Sequence, residues 1–180
     1  MGGRLIAVVG PSGVGKDSVM EGLATADPAL HLVRRTITRA PDLGGEDYDA
    51  VSVAEFQDMA AAGHFAVHWG AHDLLYGIPV SIQKVLDSGR DCLANFSRSA
   101  LLAGDAAFER FCVLSITASP ETLATRLAAR GRESPAQIAK RLAQATKPLP
   151  AGLNVMTVSN DGALENTITN ALSLLQPVRA

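Results

Sequence analysis

The chain is short of cysteine, of net charge and of long apolar runs, and each shortage removes a class of protein. Only two of its 180 residues are cysteine, Cys92 and Cys112. Both fall inside apolar runs of strand length without a metal-ligating companion at short spacing, so they read as reduced core residues. A formal net charge of −2 gives no electrostatic reason to expect nucleic acid or an anionic membrane as partner. The apolar stretch after Met1-Gly2-Gly3-Arg4 covers only Leu5 to Val9, too short for a secretory or membrane segment, which predicts a cytoplasmic protein. Gly2 faintly suggests myristoylation, but the sixth position is Ile6, not Ser or Thr, and that reading is discounted. No internal repeat or low-complexity segment is evident. What is present, 47% hydrophobic and 19% charged residues, suits one soluble domain with a single core.

The most specific stretch is Gly10-Pro11-Ser12-Gly13-Val14-Gly15-Lys16-Asp17-Ser18, which follows the apolar run and precedes a segment of helical apolar spacing. This is a strand, a phosphate-cradling loop and a helix: the glycines let several N–H groups converge on one anion, and the helix start adds the positive end of its dipole. Lys16 then reaches the β and γ phosphates of a nucleoside triphosphate. Asp17 stands where such loops usually offer a hydroxyl to Mg²⁺. A carboxylate there can hold the metal directly or through water, which would make nucleotide affinity strongly metal-dependent. The alternative, a first-turn acid favoured by the helix dipole, stays open.

Periodicity predicts a helix from Lys16 to about Ala24, a strand over Leu30 to Thr38 and a turn-rich stretch from Ala40 to Gly45. Ser52 and Glu55 form a capping box opening a helix that ends at Gly63, followed by a short strand from Phe65 to Trp69. His72 to Gly77 reads as a loop, with Pro79 in the first turn of a helix stopping at Gly89. Cys92 to Phe96 and Phe111 to Thr117 are strands. Ser119-Pro120 and Ser134-Pro135 open helices running to Arg130 and about Ala145, and after a strand over Val155 to Val158 a terminal helix starts at Asn160-Asp161-Gly162. Strands alternating with helices predict an α/β sandwich with a largely parallel sheet and the phosphate loop at the carboxyl end of its first strand.

Phosphoryl transfer needs cations around the group in flight. Two clusters supply them: Arg34, Arg35 and Arg39 near the second strand, and Arg126, Arg130, Arg132 and Arg141 around Gly131. Arg126 and Arg130 are four apart, so both are expected to point into one space, and the cluster reads as a closing lid rather than a solvated helix. His64, His68 and His72 would share a helix face, but Gly63 and Gly70 argue for strand and loop and against metal binding.

The phosphate loop, Thr38-Arg39, Tyr48, the capping box with Phe56, Tyr76-Gly77, Arg126 to Gly131, Lys140-Arg141-Leu142 and Asn160-Asp161 together resemble the guanylate kinase superfamily over nearly the whole chain. The resemblance implies a P-loop, three-layer α/β/α kinase working on ATP with Mg²⁺. It places a core at 1–33 and 78–180, a small acceptor-binding region at about 34–77 and a helical lid at about 126–145. Lys16, Arg126, Arg130 and Arg141 would serve transfer, with Arg132 and Asn160 joining the loop on the nucleotide. The departures matter more. The places where guanylate kinases carry guanine-reading acids fall at Val67 and at Asn95 or Ser97, and a second acceptor-phosphate arginine is replaced by Asp42. A site lacking the partner of a base hydrogen bond loses orders of magnitude, which predicts GMP to be a poor substrate.

The runs Gly15 to Ser18, Arg34 to Arg39, Gly44 to Asp47, Tyr76 to Ile78 and Ala129 to Ser134 are similar to the ribose 1,5-bisphosphate phosphokinase branch of phosphonate breakdown. That likeness implies a phosphosugar acceptor held by Arg35, Arg39, Tyr48 and Tyr76, with Arg35 as an added cation and Asp17 at the metal. A monomer or homodimer is expected. The rivals are a guanylate or other nucleotide kinase, favoured if GMP alone supports ADP release, and a non-catalytic binding module, favoured if ATP is not bound.

Overall fold

Leu5–Val9 forms a strand, β1, whose residues are all buried, and the alternation of its side chains divides the core in two. Leu5, Ala7 and Val9 pack on one face, whereas Ile6 and Val8 pack on the other. A strand covered on both sides belongs in the middle of a parallel sheet. The computed structural model describes residues 2–41 and 45–176. In chain order the elements are β1, α1 (Lys16–Ala26), β2 (His31–Leu32), β3 (Arg35–Ile37), β4 (Tyr48–Ala50), α2 (Val53–Ala61), β5 (Phe65–Ala71), β6 (Leu74–Pro79) and α3 (Ile82–Asp87). Then follow β7 (Cys92–Asn95), a 3-10 turn (Arg98–Ala100), α4 (Leu101–Ala107), β8 (Phe111–Thr117), α5 (Pro120–Ala129), α6 (Pro135–Ala145), β9 (Val155–Ser159) and α7 (Leu164–Leu175).

The main sheet is five-stranded and parallel, ordered β2-β7-β1-β8-β9. Val19, Met20 and Leu23 of α1 and Ala171 and Leu175 of α7 cover its Ile6 face. Ile82 and Leu86 of α3 and Leu101 of α4 join the cluster on the Leu5 face. A four-stranded mixed sheet, ordered β4-β3-β6-β5, stands beside the carboxyl end of the main one. Cys92 and Cys112 are free and buried as expected, and burial pushes the Cys92 thiol up to about 11, so neither is a reactive thiolate. Among the described residues no helix is long and apolar enough to cross a membrane.

Four expectations about the elements change. The strand over Leu30 to Thr38 is split: β2 pairs with β7 in the main sheet, while β3 pairs with β4 and β6 in the small one. Pairing partners, not side-chain alternation, decide where this chain runs, and Arg35, Thr36 and Ile37 are all buried. The expected loop at 72–77 is mostly strand β6, the antiparallel partner of β5. His72 and Asp73 make the tight turn with φ of 52° and 61°, without the glycine that usually marks such hairpins. Gly77 is required for another reason: a Cβ there would lie 2.5 Å from the Phe65 ring across the pair. Pro79 therefore ends β6, and α3 begins later, at Ile82. Neither β4, the 3-10 turn nor α4 carries a strong local signal. The terminal helix starts at Leu164 because Asn160 and Asp161 spend their side chains on other loops.

Candidate active site

The carboxyl end of β1 opens directly into the glycine-rich loop, and the loop closes into α1 at Gly15. Gly15 has φ 91° and ψ 32°, and a Cβ there would sit 2.9 Å from the Asn160 amide nitrogen, so only glycine fits. Lys16 Nζ donates to the Gly10 carbonyl at 2.9 Å. Burial pushes its pKa down, with Asp17 opposing the shift; an anion beside it would favour the charged form. The Val14 carbonyl points backward and accepts from Asn160 Nδ2 at 2.8 Å and Arg126 Nη1 at 3.2 Å. Arg126 Nη2 donates to the Asn160 carbonyl at 2.7 Å, and Asn160 Oδ1 accepts from Thr167 Oγ1 at 2.8 Å. Arg126 and Asn160, expected at the phosphates and the nucleotide, thus brace the loop from behind and do not line the cavity in front of it.

That cavity has a volume of about 820 Å³. Its donor end is walled by residues 10–13 and 15–18, Arg130, Lys140 and Arg141. Arg141 donates through Nη1 to Ser12 Oγ of the loop and pairs through Nη2 with Glu133 at 3.2 Å. Arg126 and Arg130, expected to share one space, are separated: Arg130 ends α5 facing the cavity while Arg126 turns under the loop. Arg132 is exposed and outside the cavity wall.

The opposite end of the cavity, expected from the resemblance to take the acceptor, is lined from the small sheet by Arg35, Ala71 and Tyr76. Arg39 lies with its guanidinium carbon 4.3 Å from the Tyr48 ring centroid, and its buried Nε has no hydrogen-bond partner among the described residues. A buried unpaired donor on a cation suits an anion. Tyr48 donates its hydroxyl to the Ala40 carbonyl and supports Arg39 from outside the cavity wall. Arg35 is only 5% exposed. Its Nε donates to Glu46 Oε2 at 2.9 Å, its Nη2 to Glu46 Oε1, and its guanidinium covers the rings of Tyr76 and Trp69, 4.7 and 5.8 Å from their centroids. Arg34, in contrast, is exposed and bound to Asp47 and Asp49 away from the cavity. Of the places expected to lack guanine-reading acids, Val67 is buried in the core, and Asn95 and Ser97 line the cavity. Asp42 lies outside the described residues.

Asp17 faces the cavity, where Asn95 Nδ2 donates to it over a long 3.4 Å. Its hard oxygen donors beside the phosphate loop fit a cation of the Mg²⁺ type, which takes one or two carboxylates and completes its shell with phosphate oxygens and water. No group of three His, Cys, Asp or Glu side chains comes together among the described residues. His64, His68 and His72 stay apart, His68 lying against the Phe56 and Phe65 rings and His72 at the cavity rim.

Three side chains at this site escape a reading of the sequence: Glu46, Trp69 and Arg98. Glu46 could have been suspected from the need of a buried arginine for a counter-ion, but only burial reveals that Arg35 is such an arginine. Taken together, the cavity offers Lys16, Arg35, Arg39, Arg98, Arg130, Lys140, Arg141 and Lys147 against Asp17, Glu46 and Glu133, so it is built for polyanions.

The comparisons with known proteins agree with this geometry. The guanylate kinase family model matches residues 2–176. A ribose 1,5-bisphosphate phosphokinase of Ruegeria sp. is 54% identical over 99% of this chain and 94% of its own length, and one of Agrobacterium fabrum is 45% identical over 96% of each. A bifunctional ribose 1,5-bisphosphokinase-thymidine phosphorylase of Cupriavidus necator is 44% identical over 91% of this chain and 27% of its own. The crystal structure of guanylate kinase from Anaplasma phagocytophilum superposes with a TM-score of 0.65 at 19% identity, covering 97% of this chain and 85% of that one, a likeness of fold. The chain belongs to the guanylate kinase family and, within it, to the ribose 1,5-bisphosphate phosphokinases.

Proposed function

We propose that this chain transfers the γ-phosphoryl group of ATP to the 1-phosphate of ribose 1,5-bisphosphate, releasing ADP and forming 5-phospho-α-D-ribose 1-diphosphate. The observation that carries this reading is the acceptor end of the cavity. Among the described residues it presents Arg39 with an unpaired Nε, while the carboxylate there, Glu46, is held by both oxygens on Arg35. An anion finds a cation there, and among the described residues a purine finds no free acid at that end to accept from its N–H groups.

Lys16 and the loop N–H groups hold the β and γ phosphates, and Arg130 and Arg141 neutralise the group in transit. Arg39, with Tyr48 behind it, takes an acceptor phosphate, and Arg35 and Tyr76 form the wall beside the sugar. The attacking atom is an oxygen of the 1-phosphate, already an anion, so no general base is needed and none is assigned. Mg²⁺, when bound, offsets phosphate charge, and Asp17 is the side chain that would hold it. The protein works as a cytoplasmic monomer or homodimer.

Phosphorus NMR of a mixture of protein, ATP, Mg²⁺ and a panel of phosphosugars and nucleoside monophosphates tests the reading. New diphosphate resonances are expected with ribose 1,5-bisphosphate; turnover of GMP with none of the phosphosugar would overturn it.

A further inference from the structure

We propose that Arg98 is a positioning residue that clamps the carboxyl end of α6 and thereby sets where Arg141 meets the phosphate loop. Arg98 opens the 3-10 turn after β7, far in sequence from α6. Its Nη1 donates to the carbonyls of Gln144 at 2.9 Å and Lys147 at 2.8 Å, and its Nη2 to that of Ala145 at 3.1 Å. Gln144 and Ala145 end α6 and Lys147 lies just beyond it, where the dipole is negative; the Gln144 carbonyl also accepts from the Thr146 and Lys147 amides. α6 has no basic residue of its own in that turn, so the cation comes from elsewhere in the chain.

Packing holds α6 only partly. No residue of α6 is fully buried. Its Leu142 and Ala145 are only partly buried against the core cluster that holds Leu123 of α5 and Ile116 of β8, and all four line a cavity of about 370 Å³. Without Arg98 the carbonyls of Gln144, Ala145 and Lys147 lose this cation, and the helix end is expected to shift over its cavity. Arg141 is one turn before the clamped carbonyls and donates to Ser12 Oγ in the loop, so movement of the helix end moves that guanidinium. On its other side, Arg98 follows Ser97, whose Oγ accepts from Trp69 Nε1 at 2.8 Å. Trp69 is one of the rings covered by Arg35. A two-residue segment therefore touches both the acceptor wall and the helix that carries Arg141.

The proposal rests on the phosphotransfer reading for its kinetic arm only. Arg98→Ala is expected to lower kcat about tenfold while KM for ATP changes by less than about twofold, and Arg98→Lys to recover part of the loss, since an ammonium cannot span all three carbonyls. In an Arg141→Ala background, Arg98→Ala is expected to cost less than about twofold more, because residues acting as a unit are not additive. Hydrogen exchange is the second arm. Amides of residues 138–147 should exchange faster in Arg98→Ala while those of β1 and β8 keep their protection. Independent, multiplying losses in the double variant, or unchanged exchange across α6, would overturn the proposal. If the wild type fails to phosphorylate ribose 1,5-bisphosphate, the phosphotransfer reading falls, and exchange in α6 still decides the clamp.

Discussion

Arg35 and Glu46 form a two-pronged ion pair inside the acceptor end of the cavity, with side chains 6% and 16% exposed. The arginine that the resemblance offers as an extra cation for the phosphosugar is therefore already paired with a carboxylate, and its planar head lies over the Tyr76 and Trp69 rings. Glu46 takes its Nε and Nη2 and leaves Nη1 unengaged by that carboxylate.

Glu46→Gln keeps the shape of this pair and removes its charge. Leaving a buried guanidinium without its counter-ion should cost about 1–3 kcal/mol in urea unfolding, reduced because the cavity is open to water. The KM for the acceptor should rise about tenfold with KM for ATP little changed. An unaltered acceptor KM would show that Arg35 needs no partner to do its work.

The carboxylate of Asp17 sits beside the loop that receives the phosphates and repels them until a cation intervenes. ATP binding by the wild type should weaken more on chelation of Mg²⁺ than binding by Asp17→Ser. Equal metal dependence in the two proteins would reduce Asp17 to a first-turn acid.

Asn160→Ala removes the amide that bridges the Val14 carbonyl and the Thr167 hydroxyl, both behind the loop. Orphaning these buried groups should cost about 1–3 kcal/mol of stability, and kcat/KM for ATP should fall because the loop loses its brace. A stable variant with normal ATP kinetics would indicate that Arg126 holds the loop alone.

Asp161 contributes a pH dependence of determinate sign. The Ser119 amide, with the Ser159 and Thr122 hydroxyls, holds its carboxyl well below the ordinary value of 3.8. A carboxyl bound more tightly as the anion in the folded state stabilises the fold above its unfolded pKa, and the contribution disappears as pH falls through the lower folded value. Urea midpoints recorded from pH 7 downward should drop more steeply below about pH 4 in the wild type than in Asp161→Asn. Parallel curves would sink the assignment.

How much of this was legible in the residues follows from how local each signal is. The phosphate loop, the Ser52, Ser119 and Ser134 caps and the apolar strand at Leu5–Val9 are written in adjacent residues, and all of them stand in the structure. The split between β2 and β3 depends on strands β6 and β7, more than forty residues downstream of it, and no alternation within residues 30–38 could encode it. The His72-Asp73 hairpin lacks a glycine to announce it. Glu46 becomes important only because β3 buries Arg35, and Arg98 only because α6 ends beside it. Arg126 and Arg130 share a sequence spacing but not a destination, since Val14 and Asn160 claim the first.

The central claim is that the acceptor end grips anions without reading a base. The ratio of kcat/KM for ribose 1,5-bisphosphate to that for GMP, measured by ADP release under one set of conditions, tests it most directly. The account predicts a ratio above about a thousand, the penalty for a base whose donors go unmet. A ratio at or below one would contradict it.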